Sequence, residues 1–245
     1  MKIGFLSDIH GNHDALLSVL NDMKECSIKE LLIAGDLIGY YYRVDLVLEY
    51  LRDWKWTSCM GNHELLYLKW QNGTFADRRI IKKKYGSSYQ EADHLLKDKQ
   101  KIFLNKLSYP VTQEIDGIRF LVCHGSPDNI NQYLYPDNNV IFELFKKYIN
   151  KIDIVVLGHT HYQAKWEVGP LNIINPGSVG QPRSGEFNPN RVKEKCRAEW
   201  AMYDTKTMKF DFRNTFYDGS NLIKQIEKLD PEIIFLKNVL LRDLD

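Results

Sequence analysis

The sequence lacks paired cysteines and an excess of either charge, and each absence excludes a class of protein. Its four cysteines are widely spaced and form no CxxC pair, so we expect reduced, buried thiols rather than structural zinc or a disulfide framework. The 33 lysines and arginines balance 32 aspartates and glutamates, which leaves a net charge of +1. No overall positive field therefore attracts nucleic acid or a membrane surface, and attraction for an anionic substrate must come from a local site.

Long apolar runs are also missing. No uninterrupted run approaches the roughly 18–20 apolar residues that a membrane span requires. The first residues lead straight into a strand pattern and lack the apolar core of a signal peptide. We therefore expect a cytoplasmic protein without a membrane partner. At 245 residues, 44% hydrophobic and 27% charged, the chain is expected to form a single domain over residues 1–245, and nothing in it specifies an oligomeric state.

What the chain does contain is an alternation of strands and helices. Apolar strand patterns occur at Ile3–Leu6, Leu31–Ala34 and Thr57–Met60. Helical patterns follow Asn12, a residue suited to cap a helix, and cover Val44–Asp53. This order predicts right-handed crossovers and a largely parallel sheet, and hence an α/β protein.

Later segments depart from this alternation. Residues from about 64 to 110 have a mostly helical pattern, which predicts a helical insert that could cover a site. The strand patterns at Leu171–Ile174, Trp200–Tyr203 and Met208–Arg213 are separated by turn residues and predict a second sheet made of hairpins. We expect Ser220–Leu229 to be a short helix and the charged tail after it to fray. The predicted architecture is a two-sheet core with helices outside and a helical insert.

Five short motifs anchored by glycine carry most of the polar residues that could do chemistry, and each follows an apolar run. They are Asp8-Ile9-His10, Gly35-Asp36, Gly61-Asn62-His63-Glu64, His124-Gly125 and Gly158-His159-Thr160-His161. Side chains at the carboxyl ends of strands in an α/β sheet converge on one region. Because the two ligands of Asp8-Ile9-His10 are two residues apart, an extended backbone would point both the same way, and His159 and His161 repeat this spacing.

These motifs offer more ligands than one metal ion can use. The candidates are Asp8, His10, Asp36, Asn62, His124, His159 and His161. Oxygen ligands mixed with imidazoles suit manganese, our first choice, or iron, zinc, nickel or cobalt, whereas magnesium or calcium would favour oxygen alone. The set divides well if Asp36 bridges two divalent ions about 3.5–4 Å apart.

The charge of such a site favours phosphate ester hydrolysis. Two divalent ions, the carboxylates of Asp8 and Asp36 and a bridging hydroxide leave about one positive charge, which attracts a phosphate group, and the hydroxide can attack it. Asn62 would hold the neighbouring His63 beside the phosphate, so His63 is the candidate general acid and Asp36 a catalytic ligand. Arg43 and Arg183 are candidate substrate-binding residues. For Arg43 an ordinary ion pair is an equal alternative.

Several residues have an ordinary structural interpretation beside a functional one. His13, in the first turn of a helix, is expected at the surface or behind the ligands, and His94 is expected to be exposed. Tyr40, Tyr41 and Tyr42 could stack on a nucleobase, although packing beneath the insert is more common. A small phosphodiester or nucleotide fits better than a phosphoprotein. DNA is disfavoured as a substrate because the chain has no dedicated basic face.

The motif series resembles the calcineurin-like metallophosphoesterase superfamily. The order and spacing of the five motifs match from the first strand to about Arg183. The segments Ser7–Asn12, Gly35–Tyr40 and Asn175–Arg183 look like the small prokaryotic branch, whose members are described as predicted phosphodiesterases or phosphatases.

The resemblance implies a four-layer αββα sandwich around two mixed sheets, with a dinuclear centre. It implies one metal held by Asp8, His10, Asp36 and His161, and a second held by Asp36, Asn62, His124 and His159, with His63 near the leaving group. The chain departs from protein phosphatases of the superfamily at Gly39-Tyr40-Tyr41, where they carry Asp-Arg-Gly. A phosphate-gripping arginine and an aspartate that supports the acid are absent there. The alternative function is a scaffold or binding protein that keeps the fold without catalysis, but no ligand position is lost.

Overall fold

Two five-stranded mixed sheets pack face to face in the computed structural model, which describes residues 1–243. The first sheet has the order β11-β10-β1-β2-β3 and the second the order β4-β5-β6-β8-β7. The strands of the first sheet are β1 (Lys2–Leu6), β2 (Glu30–Ile33), β3 (Lys55–Ser58), β10 (Cys196–Asp204) and β11 (Lys209–Tyr217). Those of the second are β4 (Val111–Ile115), β5 (Ile118–Val122), β6 (Ile154–Val156), β7 (Gln163–Val168) and β8 (Leu171–Pro176).

The apolar faces of the two sheets share one core. Phe5 of β1 meets Phe120 of β5 edge to face, with ring centroids 6.1 Å apart. A helix covers the outer face of each sheet: α1 (His13–Glu25) packs against the first sheet, and α7 (Ile141–Phe145) against the second. The layers are therefore helix, sheet, sheet and helix, and the αββα sandwich expected from the sequence is confirmed.

The late strands do not form a second sheet of their own, as the sequence predicted, but are divided between the two sheets. The hairpin β10–β11 joins the first sheet, because β10 pairs antiparallel with the free edge of β1 and Phe5 lies opposite Ala201. Strand β8 instead joins the second sheet, parallel to β6 and antiparallel to β7. The prediction failed because it left one edge of β1 without a partner. A buried strand needs a hydrogen-bonded neighbour on each edge; β2 covers one edge of β1, and β10, more than 190 residues later in the chain, covers the other.

Helices fill the segment from 62 to 105. They are α3 (Asn62–Asn72), α4 (Phe75–Tyr85), α5 (Ser88–Leu95) and α6 (Asp98–Asn105), and they follow α2 (Val44–Leu51) in the chain. Helix α3 begins within a candidate ligand motif, so the insert starts directly at the site. Its inner face is aromatic, with the Tyr89 ring stacked between Tyr67 and Trp70 at centroid distances of 6.3 Å.

The tail does not fray in the part of the chain that the structure describes. Helix α8 (Ser220–Leu229) is followed by α9 (Ile234–Asn238), a 3₁₀ turn (Val239–Leu241) and β12 (Arg242–Asp243), which pairs with β9 (Glu186–Phe187). Leu236 and the three residues of the 3₁₀ turn are buried in the larger core cluster. Apolar burial therefore outweighs the charge of this segment. The last part of the predicted fraying tail, residues 244–245, lies outside the described residues.

The cysteines and the length of the helices bear on two further expectations. All four cysteines are free, and three of them are buried. Among residues 1–243, every helix is too short or too polar to cross a membrane.

Candidate metal centre

Strand ends deliver the candidate ligands to one place. β1 leads to Asp8 and His10, β2 to Asp36, β3 to Asn62, β5 to His124, and β6 to His159 and His161. All of them converge in the structure. The loops are tied to one another by backbone hydrogen bonds, for example from the N–H of His10 to the carbonyl of Asp36 at 2.9 Å.

One group of ligand atoms gathers around Asp8. Its Oδ1 lies 3.1 Å from Nε2 of His161 and 3.5 Å from Nε2 of His10. The two Nε2 atoms are 3.2 Å apart. These three side chains are buried and arranged so that they could hold one metal ion.

A second group gathers around His124. Its Nε2 lies 2.9 Å from Oδ1 of Asn62, 3.1 Å from Nδ1 of His159 and 3.2 Å from Oδ2 of Asp36. Asp36 Oδ2 is also 3.8 Å from Nε2 of His10 in the first group. The carboxylate of Asp36 therefore lies between the two groups.

The hydrogen bonds around the histidines indicate that these groups suit cations. Nδ1 of His10, His124 and His161 lies within hydrogen-bond distance of the carbonyl oxygens of Ile38, Ala34 and Gln181, respectively. Because only an N–H can donate to a carbonyl, each Nδ1 carries a proton, and each Nε2 is left to face the site, where it can bind a metal ion once it carries no proton of its own. Oδ1 of Asp8 is buried there without a hydrogen-bond partner. Converging acceptors of this kind fit divalent metal ions.

The charges of the metal-free site favour cation binding as well. Burial opposes ionisation of Asp8, but His161 and His124 outweigh it and hold the pKa of that carboxyl well below its usual range. The pKa of Asp36 is lowered in the same way, mainly by His124 and His63. Burial alone would lower the pKa of His124, but the carboxylates of Asp36 and Asp8 raise it to about 10. Two buried carboxylates are thus ionised and compensated in part by a protonated imidazole.

The backbone at the ligands differs from the extended conformation expected from the sequence. Asp8 and His10 both have φ of 53°, and Asp36, His159 and His161 have φ of 55°, 69° and 62°. These are left-handed conformations, which L-residues other than glycine adopt rarely. Each strand turns sharply as it ends, so the ligands are aimed by that turn rather than by strand alternation. The extended-backbone argument was therefore wrong.

Glu64 fixes the loop of Asp36, a role that the sequence did not suggest. Its carboxylate accepts hydrogen bonds from the backbone N–H groups of Asp36, Leu37, Ile38 and Gly61, at 2.7–3.3 Å. Burial and the charge of Asp36 raise the pKa of Glu64 to about 7, against the lowering effect of these N–H groups. The motif containing Glu64 was recognised, but its three long-range partners, Asp36, Leu37 and Ile38, cannot be deduced from it.

His63 lies against the ligands without belonging to either group just described. Its backbone N–H donates to Oδ1 of Asp36 at 2.8 Å, and its ring centroid is 4.8 Å from that of His10. Nδ1 of His63 is 2.6 Å from the hydroxyl of Tyr89, which comes from α5 of the insert. The ring is buried, and this burial holds the pKa of His63 well below its ordinary value. Sequence reasoning missed Tyr89, since its helix carries no motif.

The two candidate substrate-binding arginines have different surroundings. Arg43 forms two hydrogen bonds of 2.9 Å with the carboxylate of Asp45, the ion pair considered as an alternative. Arg183 lies by the centre: its backbone N–H donates to the carbonyl of His161. Its guanidinium is 5.3 Å from the ring centroid of Phe235, and its buried Nε has no hydrogen-bond partner.

Other candidate residues divide between site and core. The ring centroid of Tyr40 is 4.6 Å from that of His63, whereas Tyr41 and Tyr42 are buried. Their hydroxyls donate to the carbonyl of Leu236 and to the carboxylate of Asp230, respectively. The remaining candidates stay outside the centre: His13 is the first residue of α1, with Nε2 3.2 Å from Asp14, and His94 is exposed.

Aromatic residues that were not singled out border the centre. The ring of Tyr133 lies over that of His159, with centroids 4.0 Å apart. Tyr135 is parallel to Tyr133 at 5.8 Å. Both tyrosines remain substantially exposed, so they form an open aromatic surface beside His159.

Comparison with known proteins places this geometry in a family. The family model described as a calcineurin-like phosphoesterase superfamily domain matches residues 1–190. The chain is 30% identical over 244 residues to an uncharacterized protein of Methanocaldococcus jannaschii, across 92% of each chain. It is 25% identical over 187 residues to phosphodiesterase YfcE of Escherichia coli, across 76% of this chain and 83% of that one. The crystal structure of a metallophosphoesterase from Sphaerobacter thermophilus superposes with a TM-score of 0.74 at 24% identity, covering 97% of this chain and 99% of the other.

Proposed function

The chain belongs to the calcineurin-like phosphoesterase superfamily and is a metal-dependent phosphoesterase, and from that premise we propose that it hydrolyses a small, nucleotide-like phosphodiester with two divalent ions. The observation that carries this proposal is the position of the Asp36 carboxylate between two groups of ligand atoms. One ion would be held by Asp8, His10, Asp36 and His161. The second would be held by Asp36, Asn62, His124 and His159.

The ions would supply charge that neutralises the phosphoryl oxygens and would lower the pKa of water so that it can attack phosphorus. The mixture of carboxylate, amide and imidazole ligands favours manganese, with iron, zinc, nickel or cobalt as alternatives. Glu64 keeps the loop of Asp36 in place for this role through its four backbone partners.

His63 would act as the general acid. Its ring lies beside the ligands but its Nδ1 is engaged by Tyr89, which leaves Nε2 for the leaving oxygen. In that step the Nε2–H bond breaks and the leaving oxygen gains the proton together with the electron pair of the P–O bond. General acid catalysis of this kind contributes on the order of 10²–10⁴ in rate.

The border of the site supports a nucleotide-like substrate. Tyr133 and Tyr135 are substantially exposed beside His159, and a nucleobase can pack against exposed aromatic rings. Arg183 brings a guanidinium to the same opening, where it would contact the phosphate or its ester group. Arg43 remains a weaker candidate because Asp45 occupies its guanidinium.

The experiment measures manganese-dependent hydrolysis of bis-p-nitrophenyl phosphate and of p-nitrophenyl phosphate. We expect the diester to have the higher kcat/KM and Asp36→Ala to abolish the metal-dependent turnover. Asp45→Ala, which removes an acidic residue outside the centre, is the matched control and keeps the activity. Turnover that survives Asp36→Ala would contradict the proposed centre, and a higher kcat/KM for the monoester would contradict the diester preference.

A further inference from the structure

The acid candidate His63 has one hydrogen-bonding partner from the insert. The hydroxyl of Tyr89 lies 2.6 Å from Nδ1 of His63, and both side chains are buried. The partner is held firmly, because the Tyr89 ring stacks between Tyr67 and Trp70 at centroid distances of 6.3 Å. The contact therefore joins α3, which carries His63, to α5.

The edge of the His63 ring that bears Nδ1 is closed to substrate. Gly39 lies against this edge, so closely that a Cβ on Gly39 would be 2.1 Å from Nδ1. Tyr40 and Tyr85 contact the ring, with centroids 4.6 Å and 5.0 Å away. With Nδ1 enclosed in this way, Nε2 is the nitrogen that can reach a substrate oxygen.

We propose that Tyr89 is a positioning residue for the general acid, whose hydroxyl fixes the orientation of the His63 ring. This inference rests on the proposed role of His63. It assigns a catalytic purpose to the helical insert, because removal of the insert would remove the partner of Nδ1 together with the aromatic stack.

A hydroxyl suits this position because it both donates and accepts. It can therefore pair with Nδ1 in either state of the ring: it accepts from Nδ1–H when both nitrogens are protonated, and it donates to the Nδ1 lone pair when that nitrogen is not. The hydrogen bond thus survives transfer of the Nε2 proton to the leaving oxygen, and Tyr89 gains and loses no net proton. Burial raises the pKa of the Tyr89 phenol, which keeps it protonated.

The kinetic test compares Tyr89→Phe with Tyr67→Phe, two variants that each remove one hydroxyl from the same aromatic stack. The Tyr67 hydroxyl lies 3.4 Å from Asp93 and does not reach His63. Bis-p-nitrophenyl phosphate has a weakly basic leaving oxygen that needs little protonation, whereas diphenyl phosphate has a more basic one. We expect Tyr89→Phe to lower kcat on diphenyl phosphate by roughly tenfold, as part of the acid's contribution. Its KM and its kcat on bis-p-nitrophenyl phosphate should change by less than about threefold, and Tyr67→Phe should behave as the parent protein on both substrates.

A double-variant comparison separates this inference from the proposed function. With His63 replaced by alanine, Tyr89→Phe should cause no further loss on either substrate. If His63→Ala itself lowers both substrates equally, the general acid role of His63 is wrong. If His63→Ala is selective for diphenyl phosphate and Tyr89→Phe is not, only the role of Tyr89 is wrong.

A spectroscopic test needs no turnover. In the metal-free protein with ¹⁵N-labelled histidine, the Nδ1 resonance of His63 should have the same chemical shift in the parent protein and in Tyr67→Phe, because both keep the hydrogen bond to Tyr89. In the Tyr89→Phe variant this resonance should move, because that hydrogen bond is lost. An unchanged His63 spectrum in Tyr89→Phe would overturn the inference.

Discussion

The Nε2 atoms of His10 and His161 lie 3.2 Å apart although 151 positions separate the two residues. Each ring donates its Nδ1 proton to a backbone carbonyl, so two lone pairs face each other beside a buried oxygen of Asp8. Such an arrangement is repulsive until a cation lies between the acceptors. The stability of the fold and the binding of metal are therefore coupled.

Removal of metal should lower the melting temperature. A ligand present at 100 times its Kd adds about 2.7 kcal/mol to the free energy of unfolding, which for a chain of this length corresponds to roughly 5–10 °C. Thermal unfolding with and without EDTA, followed by addition of manganese, measures this shift. His94→Gln should keep the shift and Asp36→Asn should lose most of it. Equal melting temperatures with and without metal would contradict the coupling.

Metal binding should release a proton. In the metal-free protein the pKa of His124 is raised to about 10 by Asp36 and Asp8, despite burial, so at neutral pH its Nε2 carries a proton that metal must displace. Below pH 10 the metal-free form holds this proton, and the apparent affinity therefore rises with pH, by up to about tenfold per pH unit for one proton. Calorimetry in PIPES and Tris, which differ in ionisation enthalpy, counts the protons. Identical binding heats in the two buffers would disprove the release.

Gly39 should tolerate no side chain. Its φ is 107°, and an added Cβ would be 2.1 Å from Nδ1 of His63. We expect Gly39→Ala to displace the His63 ring and to lower kcat on diphenyl phosphate by tenfold or more, on the order of the acid's contribution. Gly117→Ala is the matched control, because Gly117 also has positive φ, at 76°, but its Cβ would meet nothing within 4 Å. It should lose only about 1 kcal/mol of stability and no activity. Equal kinetic effects of the two substitutions would refute the steric argument.

Arg183 and Arg43 should differ as substrate contacts. Arg183→Ala is expected to raise KM for bis-p-nitrophenyl phosphate by about tenfold, since the loss of a hydrogen bond to a charged group costs about 1.5–3 kcal/mol. Arg43→Ala should change KM by less than about twofold, because Asp45 already occupies its guanidinium. Initial rates over a range of substrate concentrations give both values. A larger effect from Arg43 would reverse the assignment.

Asp230 should stabilise the insert. Its carboxylate accepts hydrogen bonds from the N–H and the hydroxyl of Ser87 and from the hydroxyl of Tyr42. Asp230→Ala would leave these buried donors without a partner and should lower the free energy of unfolding by about 2–4 kcal/mol. Urea unfolding followed by circular dichroism measures the change, with the exposed Glu232→Ala on the same segment as control. Similar midpoints for the two variants would exclude this role.

The convergence of the candidate ligands could be predicted from the sequence because each lies in a short motif next to a strand end. Asp8 or His124 needs no knowledge of distant partners to be recognised, since the strand itself delivers it to the site. The backbone at these residues could not be predicted, because the left-handed turns at Asp8 and His10 depend on hydrogen bonds to the loop of Asp36.

Residues that act through distant contacts escaped prediction. Tyr89 looks like any apolar position of an amphipathic helix, and only the folding of the insert brings its hydroxyl to His63. The pairing of β10 with β1 escaped for a related reason, since a hairpin pattern shows which strands are neighbours in the chain but not which sheet edge they will cover.

The pairing of β1 with β10 has a consequence for synthesis of the protein. The carbonyl of Asp8 is bound by the N–H of Gly180 and by the hydroxyl of Ser178, and the open edge of β1 is covered only when residues 201–204 arrive. Asp8, the first candidate ligand in the sequence, thus waits until residues 201–204 have been synthesised before its loop can close. We therefore expect the proposed ions to bind only after this strand has been synthesised, and a chain that ends before it would carry all the candidate ligands without the edge strand that closes the loop of Asp8.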